Sequence, residues 1–156
     1  MTTTTSQAPE AFSLLGGTIF IRIDGSETGG DYAVLEQVLP GGMATPLHLH
    51  SQEDETFVVV DGEITVLRGD ENISARAGEV VQLPRGVPHA LRVDSPSARI
   101  IDVVTPAGHE EFFRLAGEPI QELTGVLTEV APDMERIVSA AGQTGLEILG
   151  PPPFEG

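Results

Sequence analysis

The chain contains no cysteine and no lysine. Thiolate nucleophiles, thiolate metal sites, disulfides and lysine Schiff bases are therefore excluded. Absent cysteines leave the compartment unread. Tryptophan is missing too, and tyrosine occurs once. No run approaches the ~20 apolar residues that a membrane helix needs. Basic side chains are scarce: 8, all arginine, against 24 acidic ones, for a net charge of −16. Such a chain repels phosphate backbones and anionic membranes, so neither nucleic acid nor membrane is expected as a partner. Highly anionic substrates are also repelled unless a metal or an arginine reverses the local field. The ordinary role of such a charge is solubility. Met1–Ser6 has neither the basic nor the apolar segment of a secretory signal, so a cytoplasmic protein is expected.

What the chain does have is turns. Its 156 residues include 18 glycines and 12 prolines, and 40% are hydrophobic, which suits one β-rich domain with a real core. Strands are expected at Thr18–Ile23, Tyr32–Leu39, Glu55–Val60, Glu63–Arg68, Ile73–Ala77, Glu79–Leu83, His89–Val93 and Arg99–Val104. Turn residues separate them, with Asp61-Gly62 as a hairpin signal. Short strands at this spacing imply a sandwich or barrel. After Pro106 the pattern changes. Gly108–Ala116 reads as a helix, and Pro132–Ala141 as a second with proline first and Gly142 after its end. Residues 121–130 are ambiguous, and LEILGPPPFEG is an extended tail. The expected organisation is a flexible segment 1–10, a β-barrel over 11–104, and a helical appendage over 105–156 packed on the barrel.

Three of the four histidines lie at strand ends. His48 and His50, two apart, share one strand face, with Leu47 and Leu49 on the other. Glu55 opens the next strand, and His89 follows the turn PRGVP. Three imidazoles and a carboxylate suit a borderline divalent ion and can leave coordination positions open. Of the acidic trio, Glu55 shares parity with Phe57 and Val59. Glu53 and Asp54 read as solvated rim charges. His109, beside Glu110 and Glu111, reads as a surface residue.

The segment GMATPLHLHSQEDETFVVVDG, residues 42–62, fits the first cupin motif, G(X)5HXH(X)3,4E(X)6G, at every fixed position. The segment GEVVQLPRGVPHALRV, residues 78–93, fits the second, G(X)5PXG(X)2H(X)3N, except that Val93 replaces its asparagine. The two are separated by 15 residues. The chain thus resembles the cupin superfamily, and from about residue 16 to 153 its single-domain, quercetinase-like members. The resemblance implies an all-β double-stranded β-helix, a jelly-roll barrel, with a short C-terminal helical appendage. It implies metal ligands His48, His50, Glu55 and His89, one divalent ion per chain (Mn, Fe, Ni, Co, Cu or Zn), and Glu55 as the catalytic base. Family analogy also suggests a homodimer, in which Gly17–Ile23 could cross to a partner.

Met43, Leu47, Phe57, Val59, Leu91 and Val93 are candidate pocket walls. Phe112 and Phe113 either close the pocket or only pack the helix. An apolar cavity with one metal suits a flat, mostly neutral, oxygenated small molecule. The reading is a metal-dependent dioxygenase of a flavonol-like or other enolic or phenolic substrate, with dioxygen as co-substrate. The alternatives are a polyketide cyclase or isomerase without oxygen chemistry, and a non-catalytic small-molecule binder or sensor.

Overall fold

The computed structural model describes residues 9–120 and 132–155. Two antiparallel sheets form the jelly roll. The first contains β1 (Glu10–Leu14), β2 (Gly17–Ile23), β3 (Ala33–Pro40), β5 (Asp54–Asp61), β8 (Val80–Leu83), β10 (Ser97–Thr105) and β11 (Glu118–Pro119). Their order is β11-β1-β2-β3-β10-β5-β8. The second contains β4 (Leu47–His50), β6 (Glu63–Arg68), β7 (Glu71–Arg76), β9 (His89–Val93) and β12 (Leu146–Gly150). Its order is β12-β4-β9-β6-β7.

Alternation sets the inner faces. In β5, Glu55, Phe57 and Val59 are buried while the residues between them are more open. In β10 the buried set is Ala98, Ile100, Asp102 and Val104. Most expected strands lie within two residues of those observed. Glu63–Arg68 and His89–Val93 coincide with β6 and β9. Two expectations need correction. Asp61-Gly62 does not close a hairpin: β5 pairs with β10 and β8, whereas β6 pairs with β7 and β9. Gly62 carries the chain from one sheet to the other. The hairpin turn is Gly69-Asp70, between the paired Arg68 and Glu71. Residue 10 belongs to β1, where it pairs with Ile21. Within the single chain, β2 has β1 on one edge and β3 on the other.

Helix α1 (His109–Ala116) and helix α2 (Met134–Thr144) pack together over one end of the sheets. Phe112, Phe113, Ala116, Ile137 and Ala140 share a buried cluster with Phe12, Ile19, Leu35 and Val104. A second cluster, around Leu39, Val59, Ile64, Val66 and Ile100, fills the other end. The expected bounds of α2 also shift. Its cap is Asp133, whose carboxylate accepts from the Arg136 N–H, so Pro132 lies outside the helix. Gly142 is inside it, and Gly145 ends it in the left-handed conformation, φ 73°. The guanidinium of Arg136 reaches the Leu115 and Gly117 carbonyls and ties α2 to the end of α1. The ambiguous residues 121–130 lie outside those described. No helix among the described residues is long and apolar enough to cross a membrane.

Gly62 has φ 86°, and a Cβ there would run into the Ser97 carbonyl oxygen and Ala98 Cα. Backbone strain and overpacking would add. Gly62→Ala is expected to destabilise the fold by roughly 2–4 kcal/mol. Urea unfolding checks this, and an unchanged midpoint would show that the corner between the sheets is not constrained.

Candidate metal centre and cavity

Three strands deliver four polar side chains to one point between the sheets. His48 and His50 come from β4, Glu55 from β5, and His89 from β9, where it sits opposite His48 in the ladder. His50, Glu55 and His89 are almost wholly buried. One oxygen of Glu55, Oε2, lies 3.1 Å from His50 Nε2 and 3.2 Å from His89 Nε2. Despite those distances, none of the three atoms has a hydrogen-bond partner. Leaving buried polar atoms unpaired is costly. Their convergence on shared space is what an ion would compensate.

The backbone orients the rings. His48 Nδ1 donates to the Pro46 carbonyl at 2.7 Å, and His89 Nδ1 to the Val87 carbonyl at 3.3 Å. A carbonyl can only accept, so in the neutral rings Nε2 carries the free lone pair. His50 Nδ1 faces Glu53 Oε2 at 3.6 Å. The donor atoms of His48, His50 and His89 all lie within 4.8 Å of one another. These residues, with Glu55, could hold a divalent ion.

Two sequence expectations fail here. Glu53 is not a solvated rim charge: it is 4% exposed and packed behind His50. Asp54 does stay near solvent, paired with Arg85 at 3.0 Å. His109 is not a surface residue. It is buried, its Nε2 lies 3.7 Å from Glu55 Oε1, and its ring stands edge-on to His50 at 4.5 Å. His50, Glu55 and His109 form a second group of donors within 4.8 Å. The signal was present in the sequence. His109, Phe112, Phe113 and Ala116 follow the i, i+3, i+4, i+7 stripe of a helix's buried face.

Asp102 also went unnoticed. It is fully buried on β10, opposite Phe57 on the neighbouring strand, and neither carboxyl oxygen has a partner. Burial, and then the charge of Glu55, push its pKa well above the usual carboxylate range. The histidines diverge. Desolvation and the neighbouring imidazoles lower His48 to about 4 and His109 to about 3. Burial also opposes charge on His50, but Glu55 and Glu53 outweigh it and raise His50 to about 9. Desolvation likewise opposes charge on Glu55, yet His50 beside it holds Glu55 well below the usual range.

Beside this centre is a cavity of about 100 Å³. His48, Glu55, His89 and His109 line it together with apolar side chains, including Met43, Phe57, Leu91, Phe112 and Phe113. Leu47 is not among them, because strand parity turns it away from His48. Val59 and Val93 do not reach it either: each lies two residues farther along its strand than Phe57 and Leu91 and packs into the second core cluster. The two phenylalanines both pack α1 on the barrel and wall the cavity.

Residues 34–104 match the family model of the cupin domain. Over that stretch, a little under half of its length, the chain is similar to the cupin domain. Over 147 residues, 93% of its length, it is 26% identical to quercetin 2,3-dioxygenase of Bacillus subtilis. It spans 44% of that relative's length. KdgF from Halomonas sp. shares the fold with a TM-score of 0.60 at 18% identity, covering 69% of this chain and 95% of that one. An RmlC-like cupin from Shewanella frigidimarina gives 0.59 at 17% identity, covering 69% and 92%.

Asp102 generates a prediction with a definite sign. An unfolded chain releases this proton near the ordinary pKa, whereas the folded chain keeps it. Folding therefore takes up a proton, and Asp102 costs stability increasingly as pH rises above ~4. In chelator-stripped protein, Asp102→Asn is expected to stabilise the fold at pH 8 by on the order of 1 kcal/mol or more, and to change little at pH 3. Urea midpoints at the two pH values check it. Equal shifts at both would mean that Asp102 is ionised in the folded chain.

Proposed function

We propose that the protein is a metal-dependent dioxygenase of a small enolic or phenolic compound, resembling quercetinases in its chemistry. The observation that carries the reading is the set of buried, unpartnered donors, His50 Nε2, Glu55 Oε2 and His89 Nε2, beside an apolar cavity. His48, His50, Glu55 and His89 would hold the ion. When bound, a divalent transition ion supplies positive charge against a deprotonated hydroxyl and, if redox-active, a route to dioxygen.

The chain's own residues do the rest. Glu55 lines the cavity as a carboxylate, the form needed to take a hydroxyl proton. Met43, Phe57, Leu91 and the two phenylalanines exclude water and favour a flat apolar ring. The cavity is smaller than the ~300–1,000 Å³ of typical ligand pockets. A single-ring enol or phenol is therefore the better fit, and a flavonol requires Phe112 and Phe113 to move. The similarity to quercetin 2,3-dioxygenase supports the reaction class.

Two measurements test this. An ion must displace the proton that His50 keeps up to about pH 9. Apparent affinity for a divalent ion should therefore rise about tenfold per pH unit from 7 to 9, with one proton released per ion. Calorimetry in buffers of different ionisation enthalpy counts that proton; none released would contradict the pairing of His50 with Glu55. Oxygen uptake with quercetin and with a single-ring enediol tests the reaction. Product without uptake would indicate an isomerase or cyclase instead. Glu55→Gln should lower turnover by about 10²–10⁴-fold with the ion still bound, and unchanged turnover would remove the base role.

A further inference from the structure

Resting on the metal centre proposed above, we propose that His109 supplies a fifth donor to it, so that the ion ties helix α1 to the barrel. The two oxygens of Glu55 face different partners. Oε2 faces His50 and His89, while Oε1 faces His109 Nε2 at 3.7 Å. With metal–ligand bonds of ~2.1 Å, two donors on one ion lie up to about 4.2 Å apart. The separation of Glu55 and His109 falls inside that limit. His50, Glu55 and His109 alone make a two-histidine, one-carboxylate set, which is a common ligand set for a transition ion with open positions.

The position of His109 is built in rather than incidental. Its ring stacks on Phe112 at 5.6 Å and meets Phe113 edge-on at 4.7 Å. The helix start is fixed by buried Glu110, whose carboxylate accepts from the backbone N–H groups of Gly25 at 2.8 Å and Gly108 at 2.6 Å. Gly108, at φ 151°, presses so closely on Glu53 that a Cβ there would come within 2.8 Å of Oε1. Glu53 in turn backs His50. The chain thus closes a loop of contacts from His50 through Glu53 and Gly108 to His109. Because α1 also carries Phe112 and Phe113, occupancy of the centre and docking of the cavity wall become linked equilibria.

The test uses cobalt(II) on the chelator-stripped full chain. Wild type, His109→Ala and His109→Gln are compared by affinity, by the visible absorption of bound cobalt, and by amide hydrogen exchange with and without the ion. We expect at least a ~10-fold weaker Kd in both variants, an altered cobalt spectrum, and loss of ion-dependent protection over residues 109–116 while residues 54–61 keep theirs. Equal affinity with an unchanged spectrum overturns the proposal. Weaker binding with an unchanged spectrum also overturns it, since His109 would then act only through Glu55. Should the variants fail to fold, wild type still decides: an ion that adds no protection over 109–116 leaves α1 untied. A wild type that binds no cobalt, nor any of the other candidate ions, refutes the metal centre itself, a distinguishable failure.

Discussion

The Glu55 carboxylate is buried without a lysine or arginine beside it, and the site is organised around that cost. A lone buried charge is expensive unless it is paired and hydrogen-bonded. Here its polar neighbours are the rings of His50, His89 and His109, at 3.1, 3.2 and 3.7 Å. Asp102 meets the same field by keeping its proton. The carboxylate also sets the division among the histidines. It holds a proton on His50, while burial keeps His48 and His109 neutral. Neutral imidazoles around a carboxylate are the state that a divalent ion can enter by displacing a single proton.

The fold serves this point by bringing together residues that are far apart in sequence. β4 and β9 place His48 against His89, while β5 crosses to the other sheet and presents Glu55 from the opposite side. Those positions were legible because they depend on short-range rules: two-residue periodicity, the HxH spacing, and turns that allow a barrel to close. The Asp61-Gly62 corner was misread for the same reason. A tight turn has the same local chemistry whether its flanking strands pair or part, and only the long-range ladders decide. In α2, a glycine at position 142 looked like a stop, but the helix runs through it and ends at the left-handed Gly145.

His109 and Asp102 were missed for different reasons. Two acidic neighbours made His109 look solvated, although the stripe through Phe112, Phe113 and Ala116 places it on the buried face of α1. Asp102 sits in ARIIDVVT, an otherwise apolar alternation whose inward parity it shares. An acid at such a position contradicts the pattern of its own strand. Such local contradictions are where functional or strained groups are expected. His109 faces Glu55 at 3.7 Å and Asp102 feels its charge, both from outside the two motif segments, so motif spacing could not reveal them.

The net charge of −16 bears on what can arrive. A field of that sign disfavours the approach of anions, and the cavity walls are largely apolar. In the proposed reaction, a substrate that must be negative to react would enter best while still neutral and lose its proton only inside. Under the same proposal, Glu55 at the cavity wall would accept that proton. The same side chain would balance the charge of an ion. The acidic surface, the apolar walls and the buried carboxylate thus favour one order of events for the proposed reaction: a neutral molecule would be admitted, its proton would be removed beside Glu55, and the resulting anion would find compensating positive charge at the centre.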